Sequence, residues 1–344
     1  MDAARLHAPF PYPGGKRRIA DVVWQALGNP RHYVEPFFGS GAVLLARPHA
    51  PAVETVNDAD ALLSNFWRAV QRDPDAVARH ADFPVSEVDL FARHNELLRR
   101  RAEVLMQLEA DPRWCDPELA GWWAWGASQW IGGGWCADRA IAKRQRPQLT
   151  HAAGVVSVRK HPALQTVGAG VHRASVTRQL PAVRADGDSG VVGQRVRRVG
   201  TIADWMRALA HRLRAVRVCN GDFARVLSPA VLRGTSGYTG VFLDPPYDTA
   251  KRAQGLYAHD ASEPAERARA WCREHGAERW LRIVLAGLEG EHNELEALGW
   301  RKLAWKGHGG MARRGDNANR DRERLWLSPS CAVDGQRSLF GVSA

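Results

Sequence analysis

His32-Tyr33-Val34-Glu35-Pro36-Phe37, the turn Phe38-Gly39-Ser40-Gly41, and the apolar run Ala42-Val43-Leu44-Leu45-Ala46 together decide the fold. A short buried run that ends near a carboxylate reads as a strand, the glycines as a tight turn, and the second run as the opening of a helix. The pattern then repeats. Val53-Glu54-Thr55-Val56-Asn57-Asp58 reads as a second strand ending on a carboxylate, and Ala61-Leu62-Leu63-Ser64-Asn65-Phe66-Trp67 as a second helix. Strand, helix, strand, helix predicts a parallel sheet in an α/β domain.

From about Gln71 to Arg113 the text is helical, with Leu97, Leu98, Val104, Leu105 and Leu108 recurring at helical spacing among charged residues. Trp114, Trp122, Trp123, Trp125, Trp130 and Trp135 follow. They read as the core of a small helical subdomain, and Gly132-Gly133-Gly134 breaks any helix there. Strand and helix text resumes beyond Gly200. Trp205 to Leu213 suits a helix, Val216 to Cys219 a strand, Val241-Phe242-Leu243 a buried strand, and Arg282 to Ala286 another. Leu303 to Trp305 and Arg324 to Leu327 read as an antiparallel pair closing the sheet.

The 344 residues thus predict one sheet domain built from both ends of the chain, residues 1–70 and 201–330, with an insertion at 71–200 and a tail at 331–344. Charge supports the division. The chain carries 48 Lys and Arg against 37 Asp and Glu, a net +11, and 12 of the basic residues but only 2 of the acidic ones lie between Arg139 and Gly200. That segment holds +10 and the rest only +1. Such a cluster fits a face that meets a polyanion, nucleic acid above all. Lys143, Arg144, Arg146, Arg159, Lys160, Arg195, Arg197 and Arg198 are the residues expected to neutralise phosphates. Weak periodicity and scattered glycines predict loops and short elements there.

The five cysteines are scattered, with neither Cys-x-x-Cys nor a His pair at zinc spacing, so no metal site is expected and the thiols read as reduced, in a cytoplasmic protein. No signal peptide and no run of about 18 apolar residues is found.

Three clusters carry chemistry, each placed at the carboxyl end of a strand, where open α/β sheets bind ligands. Gly39 and Gly41 let the backbone approach a ligand, and the helix after them offers free N–H groups. Leu44 occupies the third glycine position of the dinucleotide fingerprint, so that motif is absent. Asp58 has two readings, an acceptor for ribose hydroxyls or the N-cap of the following helix. Asp244-Pro245-Pro246-Tyr247 is the most specific cluster. The prolines stiffen the chain and remove two donors, so an Asp carboxylate, a fixed carbonyl and an aromatic ring converge in a way that suits a planar base with an exocyclic amino group.

Taken in order, Pro11-Tyr12-Pro13-Gly14-Gly15-Lys16, Tyr33 to Gly41, Asp58 and Asp244-Pro245-Pro246-Tyr247 resemble the Dam-like DNA adenine-N6 methyltransferases. The resemblance implies a Rossmann-like class I methyltransferase sheet with an inserted, mainly helical and loop target-recognition domain at 71–200. It implies S-adenosylmethionine as cofactor, held by Tyr12, Lys16, Glu35, Phe38, Gly39, Gly41, Asp58, Asp222 and Asp244. It further implies that Asp244, Pro245, Pro246 and Tyr247 act on an adenine flipped out of double-stranded DNA. Tyr12 departs from the family, which often has Trp there. Rival readings are methylation of cytosine, of an RNA base or of a glutamine side chain, and a catalytically silent DNA-binding protein. In related enzymes Asp at position 244 is typical of adenine, Ser of cytosine-amino and Asn of glutamine methylation. The tail carries Gln336-Arg337-Ser338-Leu339-Phe340, similar to peptides that dock on the bacterial sliding clamp, with Gln336, Leu339 and Phe340 as anchors.

Overall fold

The computed structural model describes residues 6–12, 15–84, 86–130, 135–136, 148–152, 155–159, 201–233, 236–246, 263–305 and 322–332, with backbone alone for 148–152 and 155–159. Its elements run α1 (Ala20–Leu27), β1 (His32–Glu35), α2 (Ala42–Leu45), β2 (Val53–Asp58), α3 (Ala61–Arg72), α4 (Pro74–Ala81), α5 (Glu87–Ala110) and α6 (Pro117–Gln129). A hairpin, β3 (Gln148–Ala152) and β4 (Val155–Arg159), follows. Beyond residue 200 come α7 (Ile202–Leu213), β5 (Val216–Asn220), β6 (Thr239–Leu243), α8 (Glu263–His275), β7 (Leu281–Leu288), β8 (Arg301–Ala304) and β9 (Glu323–Leu327).

Seven strands form one sheet in the order β5-β2-β1-β6-β7-β9-β8. The first five are mutually parallel, and β9 pairs antiparallel with both β7 and β8. This is the mostly parallel sheet of a Rossmann-like methyltransferase fold. Every residue of β1 and of β6 is buried, as central parallel strands covered on both faces require. β1 stops at Glu35 because Pro36 has no N–H to give the ladder. The chain order reverses at β1, which has β2 on one side and β6 on the other, so a crevice opens beyond the ends of β1 and β6.

Helix starts follow local chemistry. Asp60 caps α3 by accepting from the Leu62 N–H at 3.0 Å, and Asp73-Pro74 and Asp116-Pro117 each place a capping carboxylate before a first-turn proline. Thr201 and Asp204 form a reciprocal capping box on α7.

Residues on both sides of position 71 pack into one core cluster. α3 runs on to Arg72, and Leu97, Val104, Leu119 and Trp123 lie in the same core cluster as Val56 and Phe242 of the sheet. The tryptophans split accordingly. Trp123 belongs to that shared core, with its ring 4.8 Å from Phe10, whereas Trp125 and Trp130 close a small separate cluster with Leu90. The chain returning at α7 is fastened to the first half by a buried ion triad: Arg212 reaches Glu54 at 2.7 Å, and Arg47 reaches the same carboxylate at 3.1 Å. Removing one member of such a group costs about 3–5 kcal/mol, because the remaining charge is left buried and unpaired.

Candidate active site

A cleft enclosing about 970 Å³ of empty space, part of it open to solvent, lies at the carboxyl ends of β1, β2, β5 and β6. The four loops after these strands and the N-terminal segment build its walls.

The loop after β1 is the glycine turn. Gly39 has φ +49° and Gly41 φ +63°, in the left-handed region that favours glycine. A Cβ on Gly39 would stand 2.7 Å from the Tyr12 ring, and one on Gly41 2.6 Å from the Phe38 ring. The loop is held from several sides. Gly39 donates its N–H to Asp58 Oδ2 at 2.9 Å, its carbonyl accepts from Trp67 Nε1 at 3.0 Å, and Phe38 donates its N–H to the Asn57 carbonyl at 2.9 Å. Gly41 stands one step back from the cleft and turns the chain into α2, accepting the Leu45 N–H at 2.9 Å.

At the end of β2, Asp58 is not the cap of α3; Asp60 is. Asp58 Oδ1 accepts the Asp60 N–H and Oδ2 the Gly39 N–H, both at 2.9 Å. Burial pushes its carboxyl up to about 6, against the pull of these backbone donors. The neighbouring Asn57 ties the strand ends together, donating through Nδ2 to the Pro36 carbonyl at 3.1 Å and to the Gly221 carbonyl at 2.9 Å.

Glu35 is buried, and Tyr33 donates its hydroxyl to Glu35 Oε2 at 2.9 Å. Burial drives the Glu35 carboxyl well above the ordinary range. After β5, Asp222 lines the cleft while Arg267 of α8 grips both its oxygens at 2.7 and 2.9 Å, which holds its carboxyl below the ordinary range. The Phe37 and Phe223 rings lie 4.9 Å apart, an apolar stretch of the wall.

Asp244 follows β6, and its Oδ2 lies 3.0 Å from Nζ of Lys16, which is only 4% exposed. Burial raises the Asp244 carboxyl, and the ammonium draws it back down. Pro245 is buried and Pro246 lines the cleft. Tyr12, Lys16, Glu35, Phe38, Gly39, Asp58, Asp222 and Asp244 therefore share one cleft. Residues from five separate parts of the sequence meet there.

Residues 12–103 match the family model described as D12 class N6 adenine-specific DNA methyltransferase. Over those residues, about a quarter of the 344, the chain is similar to this family. No curated protein matches it. The match implies an adenine-specific DNA methyltransferase, and the matched segment spans the Tyr12, Lys16, glycine-loop and Asp58 walls of the cleft.

Several residues of the methyltransferase cleft escape a reading of motifs. Tyr33, Asn57 and Trp67 act through hydrogen bonds that support the loops, and Arg267 through its grip on Asp222. Only Tyr33, two residues from Glu35 on the same strand face, carries a usable signal. Tyr247, Lys143, Arg144, Arg146, Lys160, Arg195, Arg197, Arg198, Gln336, Leu339 and Phe340 lie outside the described residues, and Arg159 is described only as the backbone end of β4. No helix among the described residues is long and apolar enough to cross a membrane.

Proposed function

We propose that the cleft binds S-adenosylmethionine and that the enzyme methylates N6 of an adenine flipped out of double-stranded DNA at a defined sequence. The observation that carries this reading is Asp244, held by Lys16 at the end of β6, facing the same cleft as the glycine loop at the end of β1.

The residues fit that cofactor. Asp58 has carboxylate lone pairs beyond the two backbone donors, enough to accept from ribose hydroxyls. The glycine turn presents backbone where side chains would block access, and Phe37 and Phe223 offer an apolar wall for a purine ring. Asp222, with its carboxylate fixed by Arg267, is an acceptor for the amino group of that ring. When bound, S-adenosylmethionine supplies a methyl group already activated by its sulfonium.

Adenine N6 is a weak nucleophile because its lone pair is delocalised into the ring. Lys16 occupies Asp244 Oδ2 and leaves Oδ1 to accept one amino hydrogen, while the Pro245 carbonyl accepts the other. Holding both hydrogens draws the nitrogen towards a tetrahedral geometry in which its lone pair is available. Tyr247 stacks on the extruded base. Flipping costs a few kcal/mol, offset by stacking and by these hydrogen bonds. Positioning supplies most of the remaining acceleration.

Residues 71–200 supply target recognition in this reading, with the basic stretch from Arg139 to Gly200 binding phosphates and some of its Arg and Gln side chains reading base edges. The tail carries a sliding-clamp peptide through Gln336, Leu339 and Phe340. The decisive test is Asp244→Ala. It abolishes transfer of labelled methyl groups to plasmid DNA while leaving a folded protein that still binds DNA, and wild-type incorporation by this variant overturns the reading.

A further inference from the structure

Glu323 opens β9 opposite Leu288, at the carboxyl end of β7 and so at the cleft end of the sheet. Side chains alternate along a strand, which puts Glu323 on the face of Leu325 and Leu327. Both of these belong to the core cluster that also contains Ile19, Ala20 and Val23 at α1. Lys16 approaches from that same face, on the turn that leads into α1, where its carbonyl accepts the Ile19 N–H at 3.1 Å. Glu323 Oε2 is buried and has no hydrogen-bond partner among the described residues. A carboxylate oxygen shielded from water and left unsatisfied is costly to keep in a fold unless a charge nearby offsets it. The charges that act on it are the Lys16 ammonium and the Asp244 carboxylate, and burial with the Asp244 charge raises its carboxyl while Lys16 lowers it.

We propose that Glu323 is a positioning residue for Lys16, the second of two carboxylates that share one buried ammonium. Asp244 holds the ammonium by direct contact and Glu323 acts on it at longer range. The arrangement answers a specific difficulty. Asp244 must keep one oxygen for the substrate, and it meets Lys16 through the other, Oδ2. A second negative charge on the far strand keeps the lysine protonated and in place without drawing on the oxygen that meets the amino group. The role at Asp244 rests on the function proposed above; the effect on Lys16 itself does not.

The test reads Lys16 directly. The full-length protein is treated with acetic anhydride at fixed pH, and acetylation of Lys16 is followed by peptide mass spectrometry in wild type, Glu323→Gln and Glu323→Asp. Loss of a nearby carboxylate lowers the lysine pKa and raises its reactive neutral fraction, so Glu323→Gln acetylates Lys16 about tenfold faster, the factor that one pKa unit produces. Glu323→Asp, which keeps the charge, stays near wild type. In parallel, Glu323→Gln lowers the methyl-transfer rate at saturating cofactor while the KM for S-adenosylmethionine is unchanged. Equal Lys16 reactivity in wild type and Glu323→Gln overturns the proposal, as does an equal rise in Glu323→Asp. A wild-type protein that transfers no methyl group would instead overturn the function, and the acetylation result would stand apart from it.

Discussion

Lys16 and Asp244, separated by 228 positions in the chain, face each other at 3.0 Å across the floor of the cleft. The contact joins the segment before α1 to the end of β6. It also sets the protonation of the carboxylate assigned to the amino group, because burial and the ammonium act on Asp244 in opposite directions.

Lys16→Met removes only the ammonium. The Asp244 carboxyl, already raised by burial, then rises further, so at a given pH less of it is ionised to accept an amino hydrogen. The methyl-transfer rate at pH 7 falls about tenfold or more and recovers as pH increases, with the acid limb of kcat displaced upward by about one unit. Rates measured across pH 6 to 9.5 give the limb directly, and a limb in its wild-type place contradicts this role for Lys16.

Asn57 spans two carbonyls from different strand ends through one amide nitrogen. Asn57→Ala leaves both carbonyls without this donor and destabilises the fold by about 2–4 kcal/mol, read as a fall in Tm. Asn57→Asp is informative because a carboxylate has the right size and no donor. It fails as badly as alanine if donation is what matters, and chemical denaturation of the three proteins decides.

Asp58 ties cofactor affinity to pH. With its carboxyl near 6 in the free protein, ligand hydroxyls find an ionised acceptor only above that value. Affinity for S-adenosylmethionine therefore climbs between pH 5 and 7, by about tenfold, and levels off beyond. The same shift has a stability consequence of opposite sense. The folded state holds this proton more tightly than the unfolded chain, whose Asp titrates near 3.8, so the stability contributed by the group is full below about pH 4 and is lost as pH rises through about 6. Asp58→Asn flattens both profiles, measurable by calorimetry and by thermal melts over the same range.

Much of this cleft is legible in the sequence alone, and the reason is physical. β1, β2 and β6 are buried strands whose carboxyl ends bear the ligand-facing groups, so apolar runs closed by Glu35, Asp58 and Asp244 announce both element and site. Asp58 stays ambiguous at that level because a carboxylate after a strand serves equally as a cap. The structure separates the roles by giving the cap to Asp60 two positions on. Side chains that act across long sequence separations leave no trace. Asn57 reaches Gly221 over 164 positions, and Glu54 meets Arg212 over 158. No period or motif encodes such pairs, since only the packed sheet brings them together. The Trp123 indole likewise belongs to a core cluster shared with the sheet, because α6 packs against α3 as well as against α4.

The strand order carries a consequence for biosynthesis. β1 and β2 are made early, yet their outer neighbours β6 and β5 come from beyond residue 215. A nascent chain that ends within the family-matched segment therefore presents a two-stranded ribbon with both edges open, exposing unpaired N–H and C=O groups and the apolar faces that α7 and the later strands will cover. The segment that carries the family signature is thus not a unit of folding. The sheet can close only after the intervening basic stretch has been synthesised, which makes completion of the cleft a late event in the life of the polypeptide.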